Sequence, residues 1–194
     1  MFQLTPSATA VDSIQYDNAF RMCFSDPNQG SASADYIAEN KLATKVAIIY
    51  NSSDTYSSGI YQTFATEAKA KGLDVVAAEA FTADNKTDFS VQIQKAKDAG
   101  AELVFLPIYY QEASLILAQA NKAGFTPKWF GCDGMDGILD LDGFDASLAE
   151  DLMFLHHLQQ MLQTKQHRNS LLITKKHLET HRFSSQQMLM TVYT

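Results

Sequence analysis

Three apolar runs in this chain each hand over to a segment rich in aromatic and acidic residues. After residues 45–50 (KVAIIY) comes NSSDTYSSG, with Asp54 and Tyr56. After the run ending at Leu106 comes PIYYQE, with Tyr109 and Tyr110, and after Phe130 comes GCDGMDG, with Asp133 and Asp136. Tyrosine supplies a flat wall and a hydroxyl, and a carboxylate can hold an ammonium group. Together they suit a small zwitterion. Taken singly, each has a plainer reading. Tyr56 is a packed loop aromatic, and Asp133 and Asp136 each open an Asp-Gly turn. Of Tyr109 and Tyr110, one should face the core and the other a cleft, and the pattern does not choose between them.

Catalysis finds little support. A nucleophile needs a base within reach, yet all five histidines fall after residue 154, and no GxSxG elbow occurs. The acidic loops lack calcium-loop spacing, and the glycines of GCDGMDG follow no dinucleotide pattern. Cys23 and Cys132 lack metal-ligand spacing and read as two small buried residues. The expectation is a binding protein rather than an enzyme, with no metal and no cofactor. Over residues 1–154 there are 10 Lys and Arg against 21 Asp and Glu, a charge of −11. An acidic body without a basic stripe argues against nucleic acid as a partner. No apolar run approaches the roughly 20 residues that span a bilayer, and no basic-then-apolar signal opens the chain.

The elements that must position these residues are legible from their stops. Amphipathic stretches run into a lone glycine and then an apolar strand at Gly72, Gly100 and Gly124, where glycine suits a left-handed helix end. The recurrence predicts β-α-β units, hence an α/β fold with an open parallel sheet flanked by helices. Strands are expected over residues 45–50, 73–81, 103–108, 129–131 and 152–155. Helices are expected to open at Asp26-Pro27 and at about Ser57, at Thr87 or Asp88, and at Tyr110. In such a sheet ligands gather beyond the carboxyl ends of the strands, where the aromatic and acidic segments lie.

TPSAT, FRMCFSDPNQG, VAIIYNSSDTYSSG, ADNKTDFSVQI, VFLPIYYQEA and FGCDGMDG, in this order, resemble the branched-chain (Leu/Ile/Val) amino-acid solute-binding proteins of ABC importers, with their type I periplasmic-binding, Rossmann-like fold. The resemblance implies two α/β lobes with ligand held between them. It implies that residues 1–24 are a remnant of the first lobe and a hinge crossing, and that residues 25–155 form the second ligand-binding lobe. Ser7 and Thr9 would hold the ligand's α-carboxylate, Tyr56 and Tyr109 would contact the ligand, and Asp133 would take the α-ammonium. An aspartate there is one methylene shorter than the glutamate often found in the family. The implied partners are a small-molecule amino acid and an ABC permease of the parent protein. The implied location is periplasmic or extracellular, with membrane association only through a lipid anchor or signal that this chain lacks. A fragment of this kind is expected to bind weakly or not at all. The alternative is a ligand-sensing domain of a receptor or regulator with the same fold.

Residues 156–194 do not continue the resemblance. From residue 155 onward there are 5 Lys and Arg against 1 Asp and Glu, a charge of +4, with no glycine or proline, and QQML occurs twice. Codons read from the third base of each present codon convert Met-Leu to Ala or Val and Met190-Thr191 to Asp. Choosing among the permitted bases yields a peptide ending FAADAYDGLY, which resembles the family's next segment. The expectation is a frameshifted tail, poorly ordered or packed in a makeshift way.

Overall fold

A computed structural model describes residues 3–5, 19–21, 24–157 and 188–192. Its elements in chain order are β1 (Gln3–Thr5), β2 (Ala19–Arg21), α1 (Asp26–Glu39), β3 (Lys45–Asn51), α2 (Thr55–Ala70), β4 (Asp74–Phe81), α3 (Ser90–Asp98), β5 (Leu103–Leu106), α4 (Tyr110–Lys122), β6 (Lys128–Gly131), β7 (Met153–His157) and β8 (Met188–Val192). β1 and β2 form a parallel pair of their own. The other six strands make one sheet in the order β4-β3-β5-β6-β7-β8. Its first five strands are parallel and β8 is antiparallel to β7. The expected α/β sheet is therefore present.

Local chemistry accounts for the elements. In β3 the four residues from Val46 to Ile49 are buried in succession, as a strand covered on both faces requires. Gly72, Gly100 and Gly124 end α2, α3 and α4 at φ of +75°, +71° and +62°, the left-handed backbone a glycine adopts without steric cost. Asp54 caps α2 by accepting from the N–H groups of Tyr56 and Ser57, each at 3.3 Å. α3 departs slightly from expectation. Its N-cap is Phe89, and Asp88 sits one residue earlier, accepting from Ser90 N–H at 3.0 Å.

Two cores flank the sheet. One packs α1 and α2 around Phe64, Phe105 and Phe130, and the other packs α3 and α4 around Phe81, Phe89, Ile93 and Trp129. α2 therefore leaves β3 toward one face while α4 leaves the adjacent β5 toward the other. Their diverging loops open a crevice at the carboxyl ends of β3 and β5, the topological switch point of such a sheet. In the tail, His156 and His157 extend β7, and β8 pairs with it from Met153↔Val192 to His157↔Met188. The expectation of poor order covers residues 156–194, of which residues 158–187, 193 and 194 lie outside the described residues.

Candidate functional site

Three of the five expected site residues meet at this crevice. Tyr56 stands in the first turn of α2, aimed back over the carboxyl end of the sheet by the Asp54 cap. Its hydroxyl donates to Asp133 Oδ1 at 2.7 Å and accepts from Gly134 N–H at 3.0 Å. The rings of Tyr56 and Tyr109 stack with centroids 4.8 Å apart and planes inclined by 20°. Asp133 opens a 3-10 turn, Asp133–Met135, directly beyond β6. Ser7, Thr9 and Cys23 lie outside the described residues.

The open choice at β5 resolves by position. Tyr109 is the N-cap of α4, in extended backbone, and 45% exposed. Tyr110 is the first helical residue and packs against the α3–α4 core, its ring 3.9 Å from where a side chain on Gly137 would begin. Asp136 ends the 3-10 turn and precedes Gly137 at φ +93°, so its Asp-Gly is the turn the sequence suggests.

Sequence reasoning missed Gln29. This residue is fully buried on α1, and its side-chain amide grips Asp133. Nε2 donates to Asp133 Oδ1 at 2.8 Å, and Oε1 accepts from Asp133 N–H at 3.0 Å. One signal pointed this way. Gly30, the next residue, sits inside a helix, where glycine costs about 1 kcal/mol relative to alanine and calls for a packing reason. That reason is a close helix crossing. A Cβ on Gly30 would collide with Ile60 O and Thr63 Oγ1 and lie 2.8 Å from Phe64 N. Gly134 is similarly constrained, since a Cβ there would lie 2.8 Å from Ile108 O and 2.9 Å from the Tyr56 hydroxyl.

The electrostatics favour a cation at this end of the sheet. Burial raises the pKa of Tyr109, and the carboxylates of Asp54, Asp26, Asp133 and Glu112 raise it further. Burial first, then the neighbouring Cys132 and Asp133 groups, push the Tyr56 hydroxyl well above its usual value. Tyr56 therefore remains a hydrogen-bond donor at neutral pH. Cys132 is fully buried and its pKa is also driven well up, chiefly by burial. A thiol in that state is a poor nucleophile. Among the described residues, no three His, Cys, Asp or Glu side chains group so as to hold a metal ion. No described helix is long and apolar enough to cross a membrane.

Comparison with known proteins agrees with this architecture. The chain is 32% identical over 137 residues to the Leu/Ile/Val-binding protein homolog 3 of Brucella melitensis, a match covering 70% of this chain and 37% of that protein. It is 31% identical over 134 residues to an amino acid binding protein of Pseudomonas aeruginosa, covering 68% of this chain and 35% of the relative. The chain thus spans about a third of the length of these curated relatives. Among solved structures, a leucine binding protein from Thermotoga maritima superposes with a TM-score of 0.64 at 25% identity, over 82% of this chain and 45% of that one. A sequence model described as periplasmic binding protein matches residues 2–168, which includes 13 positions beyond Leu155. With most of its length matched and with the sheet and helices of such a protein, the chain belongs to the periplasmic binding protein family.

Proposed function

We propose that this chain supplies one wall of an amino-acid-binding cleft, in the extracytoplasmic solute-binding component of an ABC importer. The observation that carries this reading is the Tyr56–Asp133–Gln29 cluster beside the exposed Tyr109. It sets a carboxylate, held at one oxygen by two donors, next to a stacked aromatic pair. In this reading Asp133 receives the ligand's α-ammonium, and the tyrosine rings flank its carbon skeleton. In the same reading Ser7 and Thr9 take the α-carboxylate. The printed names of the relatives, Leu/Ile/Val-binding and amino acid binding, support an amino acid of branched-chain type. A permease is the partner of the parent protein. The sensing-domain alternative has no observation of its own.

The wall described here encloses a ligand from one side only, so binding by this chain alone is expected to be weak. Titration calorimetry over a panel of amino acids tests the reading. A response to branched-chain amino acids that their des-amino analogues do not give supports it. Silence across the panel at tens of millimolar sinks it, and sub-micromolar affinity refutes the one-sided wall.

We further propose that residues from about 156 are encoded in a shifted frame, on the strength of the charge reversal there and against a family match that runs on to residue 168. Sequencing the encoding DNA decides this, since stop codons in the alternative frame would end the idea.

A further inference from the structure

Gln29 does not face the crevice. It is fully buried on α1 and bonds at both ends of its amide to a residue 104 positions away. An apolar side chain of the same length would fill the same space, so packing alone does not call for an amide. What calls for it is the pair of groups opposite, a carboxylate oxygen and a backbone N–H on the same residue. With carboxyls ionised, a primary amide is the group that offers a donor and an acceptor side by side at the end of a flexible stem. A carboxylate at the same place would press two acceptors together, and a hydroxyl on α1 would be too short to span both.

The cluster has a division of labour. Asp133 Oδ1 accepts from Gln29 of α1 and from Tyr56 of α2, two helices brought together by the Gly30 crossing. Two donors fixed on two elements hold the carboxylate in one rotamer. Asp133 N–H is taken by Gln29 and Gly134 N–H by Tyr56, which pins the 3-10 turn itself. A group locked before the ligand arrives loses no rotamer freedom on binding, and that gain appears as affinity.

We propose that Gln29 is a positioning residue, which never touches the ligand but aims the Asp133 carboxylate and thereby sets the cleft's affinity for an ammonium group. This rests on the reading of Asp133 as the ammonium acceptor.

The test uses the whole chain, observed by NMR, with three probes. L-leucine carries both charged groups, isopentylamine the ammonium alone, and 4-methylpentanoate the carboxylate alone. In Gln29→Leu the Asp133 and Gly134 amides should exchange with solvent about tenfold faster or more, and isopentylamine should bind about tenfold more weakly, while 4-methylpentanoate is unaffected. In an Asp133→Ala background the same substitution should change amine binding no further, because Gln29 acts through Asp133.

Gln29→Glu covers the case in which the leucine variant does not fold. Its protonated carboxyl reproduces both bonds, accepting from Asp133 N–H and donating to Oδ1. The surrounding titratable groups are Asp133 in the turn, Asp26 on α1, Tyr56 on α2, Tyr109 before α4 and Cys132 after β6. All are acids, so none relieves the repulsion once the new carboxyl ionises. Protection of the Asp133 and Gly134 amides should match wild type at acid pH and fall as pH rises, a dependence absent from wild type. If Gln29→Glu protection is independent of pH, or if Gln29→Leu folds and binds the amine as wild type does, the positioning role is overturned. A wild-type chain that gives no response to the amine overturns the ammonium reading of Asp133 itself, and Gln29's part in binding falls with it.

Discussion

The two layers covering the sheet differ in what they bury. The α3–α4 layer is aliphatic and aromatic, with Phe81 and Phe89 meeting edge to face at 5.0 Å and 81°. The α1–α2 layer holds every side chain in the buried polar set of the described residues, namely Asp26, Gln29, Ser33 and Ser57. Burying such groups costs free energy unless each finds a partner. Several partners lie at the carboxyl end of the sheet. Gln29 binds Asp133, and the Ser57 hydroxyl accepts from Asn51 N–H at 2.8 Å. One layer thus supplies cohesion without contributing to that buried polar set. The other accepts a polar cost in order to fix a turn that an apolar layer would leave loose.

The sharpest way to break this comparison is to damage the apolar layer and look for an effect at the site. Phe89→Ala empties the middle of the α3–α4 layer and should destabilise the fold by about 3–5 kcal/mol in urea unfolding. Exchange at the Asp133 and Gly134 amides should stay at its wild-type rate under strongly native conditions. A selective change at those amides would mean that the two layers are not separate in function.

Next comes a change at the acid itself. Asp133→Ala removes the proposed ammonium acceptor, and a hydrogen bond to a charged group contributes about 1.5–3 kcal/mol. Binding of an amine probe should weaken by about tenfold to a hundredfold, while unfolding should move much less than with Phe89→Ala. The ratio of the two effects measures how far the polar layer serves binding rather than cohesion.

A third substitution lies between those extremes. Gly30→Ala puts a methyl against the Thr63 hydroxyl and against the backbone of α2 at Ile60 O and Phe64 N, and the backbone cannot swing aside as a side chain could. Overpacking of this kind costs about 1–3 kcal/mol. Because α1 carries Gln29, separating the helices should also speed exchange at the Asp133 amide. Stability and site should therefore change together here, whereas in Phe89→Ala they should part.

The sheet was legible because its signals are local. Val46, Ile48 and Ile49 make a β-branched run, and Gly72, Gly100 and Gly124 mark each helix end within a residue or so. The site was legible only where a residue follows a strand, as Tyr56, Tyr109 and Asp133 do, since topology alone sends such residues to one edge. Tyr109 and Tyr110 could not be told apart because both sit at the strand-to-helix junction, where neither the period of two nor that of 3.6 governs. Gln29 escaped notice because it precedes its partner by 104 residues and lies near the start of a helix that comes before the first strand of the sheet. No periodicity records a contact of that kind, and only the misplaced-looking Gly30 hinted that α1 had a close neighbour.

The smallest expected effect lies at the opposite end of the sheet, where a carboxylate is served without help from either layer. Glu102, just before β5, accepts from Thr44 N–H at 2.7 Å, from the Thr44 hydroxyl and from Lys45 N–H. These bonds, with the Thr44 N–H first, hold its pKa below the usual glutamate value. A folded-state pKa that is depressed contributes stability above the unfolded pKa, and that contribution disappears as pH falls through the folded one. Glu102→Gln should therefore be less stable than wild type at neutral pH, and the gap should close as pH falls through the unfolded glutamate value of about 4.3 and on through the lower folded one. Asp88 and Asp145 are shifted in the same direction, but both remain in the variant and cancel in the difference. The acid is exposed and its partners are neighbouring backbone, so the gap should be small and amine binding should not change at all. If Glu102→Gln did weaken the amine, the two ends of the sheet would be coupled through β5, and the polar layer would no longer account for the site by itself.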